Sequence, residues 1–195
     1  VAMRLCRAVF VEGEINDTLA DKISDELLHL NAECFVDQSS FTVPILMLIN
    51  SKGGAVKSAF KIIDTMNYIN SNVWTYGLGS LEGIACMIVA SGKSGRRYVD
   101  SDASLSIKSS RYSGLIQERD STNIEVLDRS ILEVSTSVYS EITNTSERII
   151  NNWMAADKRF TPKEAVSNEF ADDVGNSLLL AKLITTDFSL EINMQ

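Results

Sequence analysis

The sequence predicts an α/β fold with a largely parallel sheet. Short apolar segments with strand character alternate along the 195 residues with segments whose apolar side chains recur every three or four positions. This alternation is typical of parallel strands joined by crossover helices. The run Ile45–Ile49 is continuously apolar between Pro44 and Asn50, as expected for a strand buried on both faces. Since no repeat, linker or low-complexity segment divides the chain, we predict one domain over residues 1–195.

The elements before that strand are a shorter strand and a helix. Residues 8–11 are predicted as the strand, which ends in a turn at Glu12 and Gly13. The helix begins near Asp17 or Thr18, because either side chain accepts a hydrogen bond from the free N–H groups of a first turn. Its buried face is marked by apolar residues at helical spacing, which are Leu19, Ile23, Leu27 and Leu30.

The middle of the chain is predicted to add two helices and one strand. A helix follows the turn at residues 51–54, and its apolar stripe consists of Val56, Phe60, Ile63 and Met66. Residues 73–76 are predicted as a strand that ends in a loop at residues 77–80. The uniformly apolar segment 83–90 then predicts a buried helix.

The last part of the chain is predicted to contain a hairpin-like pair of strands and two helices. The strands are residues 97–99 and 104–107. A long helix runs from about residue 121 to 144, with an apolar stripe of Ile124, Leu127, Ile131, Val134 and Val138. A capping box with proline in its first turn, Thr161–Glu164, begins the last predicted helix.

Composition and charge exclude several classes of function. The 18 basic and 26 acidic side chains leave a net charge of −8, which disfavours nucleic acid, because its binding depends on neutralised phosphates. The apolar runs are shorter than the ~20 residues of a membrane helix, so a soluble protein without a membrane partner is expected. Cys6, Cys34 and Cys86 are widely spaced and predict reduced thiols without a zinc site. The single histidine, His29, lies in a helical segment and is interpreted as a surface residue.

Three motifs, taken in order and at their spacing, resemble those of the ClpP peptidase family. They are Ile-Asn-Ser-Lys-Gly-Gly-Ala-Val at 49–56, Ile-Asp-Thr-Met at 63–66, and Ala-Ser-Gly-Lys-Ser-Gly-Arg-Arg at 90–97. Phe-Thr-Pro-Lys-Glu-Ala at 160–165 fits the end of the same fold, and the resemblance extends over roughly residues 7–174. It implies the ClpP/crotonase-like spiral of ββα units.

The resemblance also implies how the chain is divided and assembled. A head of about residues 7–107 and 145–180 would carry a protruding handle of about residues 108–144. Active members of the family are serine peptidases in which two stacked heptameric rings form a tetradecamer, and a hexameric AAA+ unfoldase feeds protein into its chamber. The sequence begins at Val1, close to the first strand, and does not include the longer segment that forms axial pore loops in that family.

Each active subunit of such a peptidase needs a serine nucleophile, a histidine that takes its proton and an aspartate that orients the histidine. Counted from the motifs, the resemblance assigns these positions to Gly83, Lys108 and Trp153. Glycine has no hydroxyl, a free lysine with a pKa of about 10.4 is protonated at neutral pH, and an indole only donates hydrogen bonds. The chain is therefore interpreted as a noncatalytic, ClpR-like subunit.

A ClpR-like subunit implies hetero-oligomeric rings with active ClpP, in a plastid or apicoplast stroma or a bacterial cytoplasm. Leu46 and Leu48 stand where active members carry tyrosines in the pockets that dock the AAA+ ATPase. Gly53 and Gly54 correspond to the substrate-binding and oxyanion loop, although a tight strand-to-helix turn requires glycine as well. Lys52 replaces the proline that the family has before them. No cofactor is implied, since ATP belongs to the unfoldase.

Two alternatives stay open. Ser80 and Lys108 are the parts of a rewired Ser–Lys peptidase; in the simpler interpretation Ser80 is a loop serine and Lys108 forms a salt bridge with Glu82. Cys86, one turn into an apolar helix, is interpreted as a core thiol. The other alternative is a free-standing, ClpP-like homo-oligomer that modulates a host Clp system.

Overall fold

The computed structural model describes residues 7–36, 43–109 and 121–185, with the backbone alone described for residues 34–36 and 121–127. Within these ranges strands and helices alternate as follows: β1 (Ala8–Glu12), α1 (Asp17–Val36), β2 (Ile45–Ser51), α2 (Val56–Tyr68), β3 (Val73–Glu82), α3 (Ile84–Ala90), β4 (Arg97–Asp100), β5 (Ser104–Ser106), α4 (Ser121–Ile142), α5 (Glu147–Ala155), β6 (Arg159–Phe160), α6 (Pro162–Ser167), β7 (Asp173–Gly175) and α7 (Ser177–Thr185).

The described strands belong to one sheet, which is parallel except at one pairing. β1, β2, β3, β4 and β7 are neighbours in that order, and β5 pairs with the carboxyl end of β3. β6 runs antiparallel to β5. The predicted α/β class with a largely parallel sheet is confirmed.

Strand β2 is buried on both faces, as its apolar run indicates. Ile45, Met47 and Ile49 pack into the main core, which also contains apolar residues of α1, α2 and α3. Leu46 and Leu48 alternate with them and belong to a second cluster on the opposite face of the sheet.

Strand β3 is longer than predicted, and the expected loop at residues 77–80 is wrong. β3 continues to Glu82 because its partner on one side changes: residues 75–77 pair with β4, whereas residues 80–82 pair with β5. Its other neighbour is β2 at both stretches, since Leu81 still pairs with Ser51. An irregularity in the pairing with β2 falls between these stretches, where Gly79 has a φ of +55°. The glycines thus bend the strand without ending it.

The predicted hairpin is also wrong. β4 and β5 are close in sequence, but each pairs in parallel with a different stretch of β3. β4 additionally pairs with β7, and β5 with β6. The long β3 therefore offers both segments a partner, and they do not pair with each other.

Hydrogen bonds identify the residues that cap two of the predicted helices, α1 and α6. α1 begins at Asp17, but its cap is Asn16, whose Oδ1 accepts the Leu19 N–H at 2.9 Å. The Asp17 carboxylate instead accepts a hydrogen bond from the Ser58 hydroxyl at 2.6 Å. The capping box of Thr161 at the start of α6 is confirmed.

The long helix and the isolated sequence features lie as follows. α4 covers the predicted helix to Ile142, with Val134 about half exposed at 49%. Part of the predicted handle, residues 110–120, lies outside the described residues, as do the side chains of Cys6 and Cys34. His29 is exposed on α1, as predicted, and its Nε2 lies 3.4 Å from Oε1 of Glu33. Over the described ranges, no helix has the length and apolar content needed to cross a bilayer.

Candidate functional site

The turn between β3 and α3 is the centre of the site. Gly83 stands at this turn with a φ of 53° and a ψ of −126°, in the left-handed region that favours glycine. Its N–H donates to the Ser106 carbonyl at 2.8 Å, and its own carbonyl accepts the buried Tyr139 hydroxyl at 2.6 Å. All seven residues of α3 are buried. The turn is therefore held firmly from both sides.

Lys108 lies directly over Gly83. A Cβ built on Gly83 would meet Lys108 Cγ at 3.6 Å and Lys108 Cε at 3.8 Å, which are ordinary contact distances. The structure thus brings together two of the three predicted positions. A small side chain would therefore fit at residue 83 and would point toward Lys108.

A carboxylate links the neighbouring polar side chains. Lys108 Nζ donates to Glu82 Oε2 at 2.8 Å, and Ser80 Oγ donates to Glu82 Oε1 at 3.1 Å. The hydrogen bond from Lys108 is the main cause that lowers the pKa of Glu82, against an opposing effect of burial. The salt bridge between Glu82 and Lys108 that the simpler interpretation expects is confirmed.

Ser80 is placed in β3, before the turn. Its N–H donates to Asn50 Oδ1 at 3.2 Å, and its hydroxyl is directed to the Glu82 carboxylate. Glu82 therefore binds both Ser80 and Lys108. A serine that donates to a carboxylate shared with an ammonium group has a different geometry from one that donates to a neutral lysine base.

Trp153 packs away from this hydrogen-bond network. It lies on α5, where its ring meets Phe160 edge to face at 5.2 Å between centroids, and Lys158 Nζ stands 4.6 Å from its centroid. It is a partly buried residue packed against the main core. These contacts are those of a packing residue at the end of α5.

The register of β5 and β6 indicates a different residue for the third position. Ser106 faces Arg159 in this antiparallel pair, and the Ile107 N–H donates to the Lys158 carbonyl at 3.0 Å. The pairing ends there, and the same register continued by one residue would bring Asp157 opposite Lys108. Asp157 is exposed and has a φ of +46°. The register therefore favours Asp157 over Trp153 as the residue that faces Lys108.

Sequence reasoning missed Asp157 because the count ran across the turn between α5 and β6. The signal was present: the carboxylate stands directly before a short strand that leads into the capping box of α6. Only the pairing of that strand with β5 shows which residue comes level with Lys108.

The glycine loop between β2 and α2 forms the neighbouring wall. A Cβ on Gly53 would lie 2.7 Å from the Glu82 carbonyl oxygen, and one on Gly54 would lie 2.1 Å from the Ile15 carbonyl oxygen. The Gly53 carbonyl accepts the Ile15 N–H at 2.9 Å. A cleft of about 580 Å³ runs along this loop, lined by Glu12, Gly13, Glu14, Asn50, Ser51, Lys52, Gly53, Gly54 and Ser80. Both glycines are thus required by the packing of the loop.

Leu46 and Leu48 are not an open docking surface in this structure. Their exposed fractions are 0% and 5%, because α7 lies over the face of the sheet to which they belong. The sequence analysis did not predict α7, although Asn176 caps it through the Leu179 N–H at 2.9 Å. The resemblance assigns these leucines to a docking surface, and in this structure both are buried.

Cys86 is the buried core thiol that was predicted. Its Sγ lies 3.2 Å from the Leu81 carbonyl oxygen, and burial raises the pKa of the thiol to about 12. Among the described residues, no group of three or more histidine, cysteine, aspartate or glutamate side chains is arranged to hold a metal ion.

Residues 2–177 match the family model described as Clp protease, a family of serine peptidases. The match covers well over half of the 195 residues and includes the turn at Gly83, the loop at Gly53 and Gly54, and Lys108.

Proposed function

The chain belongs to the Clp protease family, and we propose that within this family it is a noncatalytic, ClpR-like subunit. It would complete ring-shaped peptidase cores together with active ClpP subunits and work with an AAA+ unfoldase. The observation that carries the proposal is the pair at the turn before α3: Gly83 in place of a nucleophile and, directly over it, a lysine in an ion pair.

Peptide hydrolysis by this family requires an oxygen nucleophile and a group that takes its proton. Residue 83 offers no side chain, and the Lys108 ammonium donates its hydrogen bond to Glu82. Asp157, which the register continued by one residue would bring opposite Lys108, has the carboxylate that orients the histidine of a complete triad, and residue 108 offers no imidazole to orient. The pattern is that of a scaffold that keeps its turn and its glycine loop while two of the three reacting groups are replaced.

Members of the Clp protease family typically assemble into rings and work with Clp ATPases. Several large apolar side chains of this subunit support assembly, because they are exposed in the isolated chain. They are Phe10 at 58%, Leu28 at 41%, Tyr68 at 81% and Val134 at 49%. We propose that α4 is part of the handle that lies between stacked rings, and that the compartment is one with active ClpP, a plastid or apicoplast stroma or a bacterial cytoplasm.

The rewired Ser–Lys peptidase is less well supported by the hydrogen bonds. Its nucleophile would be Ser80, which lies in β3 and donates to Glu82. A fluorophosphonate probe tests this directly: the proposed subunit shows no labelling, whereas a rewired enzyme shows labelling that Ser80→Ala abolishes.

The proposal is tested by co-assembly. The chain is purified from a host that lacks ClpP, mixed with an active ClpP subunit that carries a different tag, and analysed by tandem affinity purification and native mass spectrometry. We expect mixed rings in which peptide hydrolysis per ring falls as the number of these subunits rises. Rings of this chain alone, with no exchange of subunits, would instead support the free-standing homo-oligomer.

A further inference from the structure

The sheet carries a second apolar face that is distinct from the main core. Leu46 and Leu48 of β2, Trp74 and Tyr76 of β3, and Tyr98 of β4 form one cluster across three adjacent strands. Their exposed fractions are all 8% or less. Three aromatic rings and two leucines on neighbouring strands make a broad apolar surface, which must be covered in water.

The cover is α7. Leu183 is buried in the cluster, and the helix packs further partly buried residues against it, which are Leu179, Leu180 and Ile184. These positions repeat at the spacing of one helix face. The face of the sheet thus accepts a short helix that presents branched aliphatic side chains.

α7 is attached firmly at its start and lightly along its length. The Tyr76 hydroxyl lies between Asp100 Oδ2 at 2.8 Å and the Asn176 carbonyl oxygen at 3.2 Å and shares its one hydrogen between them, which ties the chain before α7 to the sheet. Of the nine residues of α7, only Leu183 is buried, and Leu178 is 66% exposed. In α3, by contrast, all seven residues are buried. A helix that is attached at its first end and buries only one residue along its length is built like a flap.

We propose that α7 is a displaceable cover, which competes for this apolar face with the apolar docking segment of the AAA+ unfoldase. The inference rests on the proposed function, which requires an unfoldase to dock on the ring. While α7 is in place, no partner reaches Leu46 or Leu48, because their exposed fractions are 0% and 5%. The subunit therefore does not bind the unfoldase until α7 leaves this face of the sheet. The unfoldase segment that takes the place of α7 presents leucine or isoleucine side chains, as α7 does.

The first experiment tests the cover without an unfoldase. The chain carries Trp153→Phe, so that Trp74, 5% exposed under α7, reports through its fluorescence. Leu183→Glu introduces a charge into the buried contact, and Leu178→Glu is the matched control on the exposed side of the same helix. We expect the Trp74 emission to shift to longer wavelength in the first variant only, while the far-ultraviolet circular dichroism and the unfolding transition of the remaining domain stay cooperative.

A chain that ends at Asn176 provides the second variant. A synthetic peptide with the sequence of residues 177–185 is added to it, and the Trp74 emission is titrated. Saturable binding that restores the original emission supports a cover that can leave and return. Loss of cooperative unfolding in both the Leu183→Glu variant and the shortened chain would overturn the proposal, since α7 would then be an integral part of the fold.

The second experiment measures binding of the unfoldase to rings assembled with each variant. When a cover hides the binding surface, the apparent affinity is reduced by the fraction of open molecules. An open state populated at about 0.1–10% predicts about 10- to 1,000-fold tighter binding for Leu183→Glu, and no change for Leu178→Glu. Equal unfoldase binding by the original chain and Leu183→Glu, with the peptide bound in the first experiment, overturns the competition. Co-assembly with active ClpP is measured separately, so its failure is distinguishable from failure of the cover.

Discussion

Two strand-to-helix turns face each other at the site, and both carry glycine for different physical reasons. After β2, a Cβ on Gly54 would lie 2.1 Å from a backbone oxygen, so the packing of the loop excludes every other residue. After β3, a Cβ on Gly83 meets only the flexible Lys108 chain, at 3.6 Å or more. The first turn is required by the fold. The second has room for a side chain, so its glycine is not required by packing, which is what the proposed loss of a nucleophile at residue 83 would leave.

The largest effect is expected from supplying the replaced groups together. Gly83→Ser with Lys108→His puts a hydroxyl and an imidazole beside Asp157, and we expect fluorophosphonate labelling of the double variant where the original chain shows none. Adding Asp157→Asn should slow that labelling by about 10²-fold or more, because the histidine loses the group that orients it. Labelling rates are read from gel fluorescence after assembly into rings.

The control is the double variant with Asp102→Asn, an exposed aspartate in the turn between β4 and β5. A folded double variant without labelling would contradict the assignment of residue 83 to the nucleophile position. Equal effects of the two aspartate substitutions would contradict the assignment of Asp157.

The next largest effect tests the turn that packing requires. Gly54→Ala should reduce the free energy of unfolding by about 3–5 kcal/mol, since the new methyl group overlaps the Ile15 carbonyl. Gly13→Ala is the matched control, because Gly13 has a φ of +87° with nothing within 4 Å of its Cβ position. Urea unfolding of both variants measures the difference. Similar losses in the two variants would mean that backbone conformation alone, and not the overlap, makes Gly54 necessary.

A smaller effect is expected at the turn with room for a side chain. Gly83→Ala should cost about 1–2 kcal/mol in the free energy of unfolding, which is the cost of a left-handed conformation without any overlap. The same urea series measures it. A loss as large as that of Gly54→Ala would remove the distinction between the two turns.

These comparisons also show what the sequence could and could not predict. The buried β2, the apolar α3 and the capping box at Thr161 were predictable because periodicity and capping are local. The salt bridge between Glu82 and Lys108 was predictable once both were assigned to one site. The signals for β2, α3 and the capping box lie within a few residues of the feature that they predict, whereas the salt bridge was expected only through the resemblance.

The misses share a different cause. The partner change of β3, the separate pairing of β4 and β5, and the position of Asp157 all depend on which strands become neighbours. The helix α7 over the cluster of Leu46 and Leu48 was not predicted, because nothing in β2 indicates that a segment more than a hundred residues later packs there. Long-range packing decides these features, and a single sequence carries little local trace of it.

The smallest predicted effect concerns the ion pair beside Gly83. Because the pKa of Glu82 is lowered in the folded chain, its contribution is fully present above the ordinary carboxyl pKa of about 4.3 and is lost as pH falls through the lowered value. We expect Glu82→Gln to lower the free energy of unfolding by about 0.5–1 kcal/mol at neutral pH, with the difference vanishing in acid. Denaturant unfolding between neutral pH and acid measures it, with Glu12→Gln as the exposed control. If the difference in the free energy of unfolding between the original chain and Glu82→Gln does not change with pH, the ion pair contributes nothing to stability.

We propose that the chain keeps the scaffold of a Clp peptidase without its chemistry. The most direct measurement is hydrolysis of fluorogenic peptides by the chain alone, purified from a host without ClpP and assembled to a ring-sized particle. We expect a rate equal to that of buffer, and equal rates for the original chain and Ser80→Ala. Hydrolysis above buffer that Ser80→Ala abolishes would contradict it.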